Sequence, residues 1–417
     1  MTSTLAARSP VPLPDDITVL PGPALLAGLT RGPSLAAHRH QFGALPWIGL
    51  DVLQDLVGRV GVRGRGGAAF PFATKLETVA RRRRPVVVVN FAEGEPASAK
   101  DMALALTRPH LVLDGAVAAA RALGAREIHV VLPGERVRVQ AAMHLASEER
   151  DDRMRIRVHT TTHGFVSGQS RAVIELMSGR PNLPVTAWEP EALSGFAGRP
   201  TLLSNAETWA QVGLLALGGA SSYRRLGTQV EPGSTLVTLT RTGSATTPEV
   251  HEVAFGTPWS EVIRPLAPRT EVLVGGFHGS WTRWETLSSM RVSPTEMLAA
   301  GIPLGAGVVH VADAATCPLA FTADVAAYLA GESAGRCGPC VNGLPAIARE
   351  LRAVVGGHGD PARLSRLTGL VTGRGACAHP DGTSRLVRTA LTTLADEVEA
   401  HLHGRCGRAL DADGRAS

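Results

Sequence analysis

The chain has little that would hold it together from outside a hydrophobic core. Cysteines number five in 417 residues, and they are too few and too unevenly placed for a disulfide framework. No basic start and apolar core of a signal peptide precedes the first domain, so the expected compartment is the reducing cytoplasm. The longest apolar stretches, Val86 to Val89 and Val308 to Ala315, fall far short of the roughly 20 residues that a membrane helix needs, and direct membrane insertion is not expected. Aromatic residues make up only 4%, which removes the stacking platforms that single-stranded nucleic acids use. The net charge of +5 comes mostly from scattered arginines. Arg81 to Arg84, the one dense basic run, reads as a solvated loop, and no nucleic-acid partner is expected.

What is present is a globular composition, 44% hydrophobic and 19% charged, over a length that predicts two to four domains. Residues 1–45, rich in Pro, Gly, Ala and Ser, read as an irregular arm. An amphipathic helix is expected from Asp51 to Val60. A strand–helix alternation follows, with strands at Val86 to Asn90, Ile128 to Leu132 and Ile156 to Thr161 and helices at Met102 to Leu123 and Arg136 to Glu149. Such alternation means a parallel, helix-covered sheet. Helices at Ser170 to Met177 and Glu207 to Leu217 close this domain. Short strands at Ser234 to Thr242, Val250 to Val253, Glu271 to Val274 and Val308 to Val311, with a helix at Pro258 to Leu266, make a small α+β module. Four amphipathic helices are then expected at Phe321 to Leu329, Leu344 to Val355, Pro361 to Leu370 and Ser384 to His403.

Three segments carry chemistry. Cys337-Gly338-Pro339-Cys340 and, behind a glycine-rich turn, Cys377 offer soft thiolates, which select zinc, copper(I) or an iron–sulfur cluster; zinc or a cubane wants about four ligands. His379 is the candidate fourth, and a zinc site of Cys337, Cys340, Cys377 and His379 fits the spacing as well. Cys317, beside Pro318, reads as a small buried hydrophobe, and Cys406 as a dangling thiol in a polar tail. His159 and His163 are four apart but fall on a strand and its exit, so they are a weak metal signal.

The second segment, Gly64-Arg65-Gly66-Gly67-Ala68-Ala69-Phe70-Pro71, formally matches a relaxed dinucleotide fingerprint, although a helix precedes it where the fingerprint requires a strand. Its glycines, with Arg63, Arg65 and Lys75, supply backbone N–H groups and cations, the physical need of a phosphate or pyrophosphate. The third segment, Asn90 to Pro96, sits at the carboxyl end of a predicted strand. Asn90 can bond the edge of a planar heterocycle, and Glu93 or Glu95 can accept from ribose or ribityl hydroxyls; a turn with helix-capping carboxylates is the other reading.

Together these segments resemble the flavin-binding, NADH-oxidising subunit of respiratory complex I, the 51 kDa or F subunit, and its relatives in NAD-linked hydrogenases and formate dehydrogenases. The resemblance runs from about Asp51 to His403 and includes a third flavin segment, Thr201 to Thr208. It implies a Rossmann-like α/β FMN-binding domain (residues 46–230), a β-grasp soluble-ligand-binding module (231–315), a four-helix iron–sulfur domain (316–405) and a polar tail (406–417). The FMN contacts it implies are Gly64, Arg65, Gly66, Gly67, Lys75, Asn90, Glu93, Glu95, Ser204, Asn205 and Thr208; Phe70 and Glu95 would meet NADH. A 4Fe-4S cluster would rest on Cys337, Cys340 and Cys377. The implied activity passes electrons from NAD(P)H through FMN to the cluster and on to a partner such as a ferredoxin or a membrane reductase.

Four positions depart from the family's pattern. Ala334 stands where its cluster motif begins with Cys, Ala92 where an Asp is usual, and Gln169 and Ser170 where an acidic pair is usual. Fewer carboxylates make the pocket more positive, which raises a flavin's potential and weakens NADH recognition. A non-catalytic scaffold of a redox assembly, keeping the fold and a metal site, is the alternative these four residues favour.

Overall fold

The computed structural model describes residues 11–13, 17–152, 154–162, 164–241 and 247–407. Strands β1 (Val11–Leu13) and β2 (Ile17–Val19) open the described chain, and α1 (Leu35–Phe42) and α2 (Leu50–Val60) follow. The first domain then runs α3 (Phe72–Ala80), β3 (Val86–Asn90), α4 (Lys100–Thr107), α5 (Pro109–Leu123), β4 (Glu127–Pro133), α6 (Val137–Glu148), β5 (Arg155–Thr161), α7 (Ser170–Met177), β6 (Thr201–Asn205) and α8 (Ala206–Tyr223). Its four strands form a parallel sheet in the order β5-β4-β3-β6. All five residues of β3 are buried, because helices cover both faces of this central strand. The expected long helix from Met102 is two helices, α4 and α5. Pro109 has no N–H to continue the ladder, and Arg108 before it is pushed out of helical conformation (φ −137°, ψ 41°).

The second unit holds β7 (Ser234–Arg241), β8 (Glu249–Ala254), α9 (Trp259–Val262), β9 (Glu271–Val274), β10 (Ser280–Arg283), α10 (Trp284–Ser288), α11 (Pro294–Ala299) and β11 (Val308–Val311). Helix α9 is a single turn, since Ile263 turns extended just before the Arg264-Pro265 pair. The sheet is mixed and seven-stranded, in the order β1-β2-β8-β7-β11-β9-β10.

Two of those strands come from the N-terminal segment, which corrects the reading of it as an irregular arm. β2 runs parallel to β8, and Ile17 and Val19 are buried in the same core that fills the first domain. Three-residue strands carry too short a pattern to read from sequence. Glu252 on β8 fastens the segment further: its carboxylate accepts from the backbone N–H groups of Ala24, Leu25 and Leu26 at 3.0, 2.9 and 2.9 Å.

The C-terminal unit is helical: α12 (Pro318–Gly331), a π turn at Pro339–Gly343, α13 (Leu344–Val355), α14 (Pro361–Val371), α15 (His379–Thr393) and α16 (Ala395–Leu402). The single helix expected from Ser384 to His403 breaks at Leu394 (φ −102°, ψ 28°). The core of this unit joins Leu273 and Trp281 of the second sheet to Leu351, Leu364 and Leu386. No helix among the described residues is long and apolar enough to cross a membrane.

Replacing Glu252 with Ala leaves three backbone donors without their carboxylate. The expected outcome is a loss of about 1–3 kcal/mol in urea unfolding and earlier proteolytic cleavage within residues 17–34. An unchanged cleavage pattern would show that strand pairing alone holds the segment.

Candidate functional site

The parallel sheet builds outward from β3 through β4 to β5, then lays β6 against the other edge of β3. At such a reversal the loops leaving the carboxyl ends of the two strands diverge and open a crevice. Asn90 and Asn205, paired in register, end those strands. A cavity of about 660 Å³ lies at this point, within the roughly 300–1,000 Å³ span of small-molecule sites. Its walls come from Gly64 to Phe70, Asn90, Ala92 to Glu95, Phe165, Gly168 to Arg171, Leu203 to Asn205, Thr208, His278, Ala376, Cys377 and Arg385.

The glycine loop reaches the cavity because its ends are closed on themselves. Gly64 N–H donates to the Phe70 carbonyl at 2.8 Å, and Arg65 N–H donates to Thr208 Oγ1 at 2.9 Å. Gly67 takes φ 95°, a conformation costly to any side chain. A close approach elsewhere also requires glycine: a Cβ on Gly168 would lie 2.1 Å from the Ala92 carbonyl oxygen. Asn90 sets that approach, donating from Nδ2 to the Gly168 carbonyl at 2.8 Å and accepting from Ala92 N–H at 3.0 Å.

The expected cations separate in the structure. Lys75 Nζ stands at the cavity wall, 3.0 Å from Glu191 and 3.2 Å from the Leu203 carbonyl. Arg65 turns toward the second sheet: its guanidinium donates to the Ser234 carbonyl at 3.1 Å, lies 3.5 Å from Glu207 and sits 4.7 Å over the Phe255 ring. Arg65 therefore serves the cavity through its backbone and joins two units through its side chain.

The two glutamates differ as well. Glu93 accepts from the N–H groups of Asp101 and Met102 at 3.1 and 3.2 Å and from Ser98 Oγ, so it caps α4. That is the capping alternative, and the fixed positive end of the helix explains it. Glu95 accepts from Ala97 N–H at 3.2 Å and from Phe277 N–H of the second unit at 2.7 Å. Burial pushes its carboxyl up to about 7 despite those two N–H donors.

Lys100, Asp101 and Glu207 are buried below this wall. Lys100 Nζ lies 2.8 Å from Asp101 and 3.4 Å from Glu207, while Glu207 also accepts from Thr235 Oγ1 and Leu236 N–H on β7 at 3.0 and 2.9 Å. Burial alone would lower the Lys100 pKa, but the carboxylates of Asp101, Glu207 and Glu93 outweigh it and raise it. Asn205 caps α8, accepting from Thr208 N–H at 3.3 Å, and its Nδ2 lies 3.3 Å from Asp101.

One of the three thiols reaches the same cavity. Cys337 Sγ is 3.4 Å from Cys340 Sγ, and Cys377 lines the cavity wall together with Gln169. Burial pushes the Cys377 thiol up. Ala334 is partly buried and offers no donor atom.

His379 does not present a nitrogen to these thiols, which corrects its candidacy as fourth ligand. Its Nδ1 is 3.0 Å from His278 Nε2, and its Nε2 is 2.7 Å from the Leu329 carbonyl, so both ring nitrogens are engaged. His159 likewise pairs with His129 across the sheet at 2.8 Å, and His163 lies outside the described residues. The sequence reading missed Glu191, His278 and Arg385 at this site, whereas Phe165 and Arg171 flank Gln169 and Ser170, which it did single out. Glu191 lies before β6, His278 between β9 and β10 and Arg385 on α15, none within a motif, so no local signal marked them.

Residues 57–214 match the model of the Nuo51 FMN-binding domain, and residues 320–401 match that of the NADH-ubiquinone oxidoreductase-F iron-sulfur binding region. The chain thus carries regions that match both of these models. Among similar proteins, the F subunit of NADH-quinone oxidoreductase from Mycobacterium tuberculosis (strain ATCC 25618 / H37Rv) is 29% identical over 386 residues, covering 85% of each chain. The F 2 subunit of the Rhizobium meliloti (strain 1021) enzyme is 27% identical, covering 85% of this chain and 90% of its own. A solved NAD+-reducing NiFe hydrogenase in the air-oxidized state superposes with a TM-score of 0.76 at 27% identity, covering 85% of this chain; this F-type relative spans 63% of that hydrogenase chain.

The residues present fit FMN: a loop with glycine at 64, 66 and 67, an ammonium at Lys75 and a cavity of sufficient volume meet a flat ring with a phosphate tail. They fit a 4Fe-4S cluster at three corners, through the thiols of Cys337, Cys340 and Cys377.

The raised Glu95 carboxyl has a pH signature. Its folded pKa of about 7 exceeds the ordinary 4.5, so its contribution to stability is full below about 4.5 and is lost as pH rises through 7. Urea unfolding between those limits is expected to show a slope that Glu95→Gln removes. Parallel slopes in the two proteins would place the titration elsewhere.

Proposed function

We propose that this F-type chain takes electrons from NAD(P)H at the cavity, passes them through FMN to a 4Fe-4S cluster on Cys337, Cys340 and Cys377, and delivers them to a partner redox protein in the cytoplasm. One observation carries the reading: the glycine loop, the strand ends at Asn90 and Asn205, and Cys377 line one cavity. FMN supplies the step from a two-electron hydride to single electrons, and the cluster accepts those one at a time.

The chain supplies position and electrostatics. The loop from Gly64 to Phe70 and Lys75 would hold the phosphate, with Ser204, Asn205 and Thr208 beside it. Asn90 holds the Ala92 and Gly168 backbones in place as the wall beside the ring. Phe70, 48% exposed, offers an aromatic face to the nicotinamide at the cavity mouth. Glu95, with its carboxyl near 7, can hold a proton there at neutral pH. Gln169 lines the cavity with Cys377 where the family's pattern has a carboxylate, so no negative charge would stand between flavin and cluster at that position. The second unit, built on the seven-stranded sheet, takes the place of the β-grasp module, with the helical unit behind it as the cluster domain. Relatives named as quinone-oxidoreductase subunits and a hydrogenase chain support a partner protein as acceptor, a ferredoxin or a membrane reductase.

An anaerobic absorption spectrum tests the reading. Flavin bands that bleach on adding NADH are expected; iron–sulfur absorption without a flavin response would leave the scaffold reading standing, and a colourless protein would end the electron-transfer reading.

Ala334→Cys supplies the missing thiol. The corner without a protein thiolate is the one that loses iron, so iron is expected to rise toward about four atoms per chain while acid-labile sulfide stays at about four. Unchanged iron would show that residue 334 does not face the cluster.

A further inference from the structure

Cys317 and Cys406, read from sequence as a buried hydrophobe and a dangling thiol, meet in the structure. Cys317 ends the loop before α12, and Cys406 follows α16, where the chain folds back. Between them, Glu397 and His401 lie one turn apart on α16. The ligand atoms of all four residues lie within 4.8 Å of one another. Among the described residues, no other group of three or more Cys, His, Asp and Glu side chains meets that condition.

We propose that Cys317, Glu397, His401 and Cys406 bind a structural zinc ion, separate from the cluster thiols. The donor set is two sulfurs, one imidazole nitrogen and one carboxylate oxygen, a combination that zinc accepts. The spacing suits a tetrahedron. Zinc–ligand bonds of about 2.0–2.3 Å imply ligand–ligand edges of about 3.3–3.8 Å. Cys317 Sγ lies 3.4 Å from Glu397 Oε1 and 3.3 Å from His401 Nε2; Glu397 Oε1 lies 3.2 Å from His401 Nε2 and 3.2 Å from Cys406 Sγ. A bound ion would need shifts of only a few tenths of an ångström along these edges.

The surrounding contacts orient the ligands as a zinc site requires. His401 Nδ1 is 2.7 Å from the Val355 carbonyl, which places the proton on Nδ1 and turns Nε2 toward the thiols. Gly407 N–H donates to the Glu397 carboxylate at 3.1 Å, and Ala320 N–H to Cys317 Sγ at 3.4 Å. Four protein ligands leave no open position, so the ion is structural. It ties the first helix of the cluster unit to its last.

The test is made on the full-length chain, purified anaerobically with its cluster in place. Zinc analysis is expected to give about one ion per chain, and zinc K-edge absorption a shell of about two sulfurs and two nitrogen or oxygen atoms. Zinc that had entered the cluster site would show three sulfurs, which would overturn the proposal. Cys317→Ser and the milder Glu397→Gln are expected to lose most of the zinc while keeping iron and sulfide, and a chelator is expected to lower the melting temperature of the parent protein but not of Cys317→Ser. No zinc in the parent protein after growth in zinc-supplemented medium, or a Cys317–Cys406 disulfide in its peptide map, would also overturn it.

Discussion

A buried charge network holds the cavity together. Lys100 is 3% exposed and has its ammonium between Asp101 and Glu207, and Arg65 reaches Glu207 from the glycine loop. Charges taken out of water are tolerated only when each finds its partners, and breaking one pair leaves another charge stranded. These pairs therefore fix four segments at once: the glycine loop, the start of α4, the start of α8 and, through Thr235 and Leu236, strand β7 of the other sheet. Three of those segments, the glycine loop and the starts of α4 and α8, line the cavity.

The second consequence is proximity of two cofactor sites. The strand reversal at β3 and β6 places one site at the carboxyl ends of the parallel sheet, and the loop before α15 brings Cys377 to the wall of that site. Electron passage between them then needs no moving part. Gln169 and Cys377 both line the cavity. An amide where the family's pattern has a carboxylate removes a charge with little change of shape, so it changes the local potential.

The N-terminal and C-terminal segments play matching parts. Both read as peripheral by composition, yet β1 and β2 extend the seven-stranded sheet to one edge, and the turn after α16 closes over Glu397. Each is held by a carboxylate that gathers several donors, Glu252 at one end and Glu397 at the other.

The sequence by itself determined the elements whose signal is local. The four valines of β3, the alternation of strands and helices, the glycine loop, the Cys-x-x-Cys turn and the third thiol all show in short windows, because periodicity and backbone freedom are properties of neighbouring residues. It also located Asn90 at a strand end, whereas β6, which ends at Asn205, was not among the expected strands. Only the tertiary structure decided which way Arg65 points, that Glu93 caps a helix while Glu95 bridges two units, that His379 spends both nitrogens on His278 and Leu329, and that Cys317 meets Cys406. Those outcomes depend on contacts between residues far apart in the chain, and a side chain's partner across such a distance is set by how the sheets and helices pack.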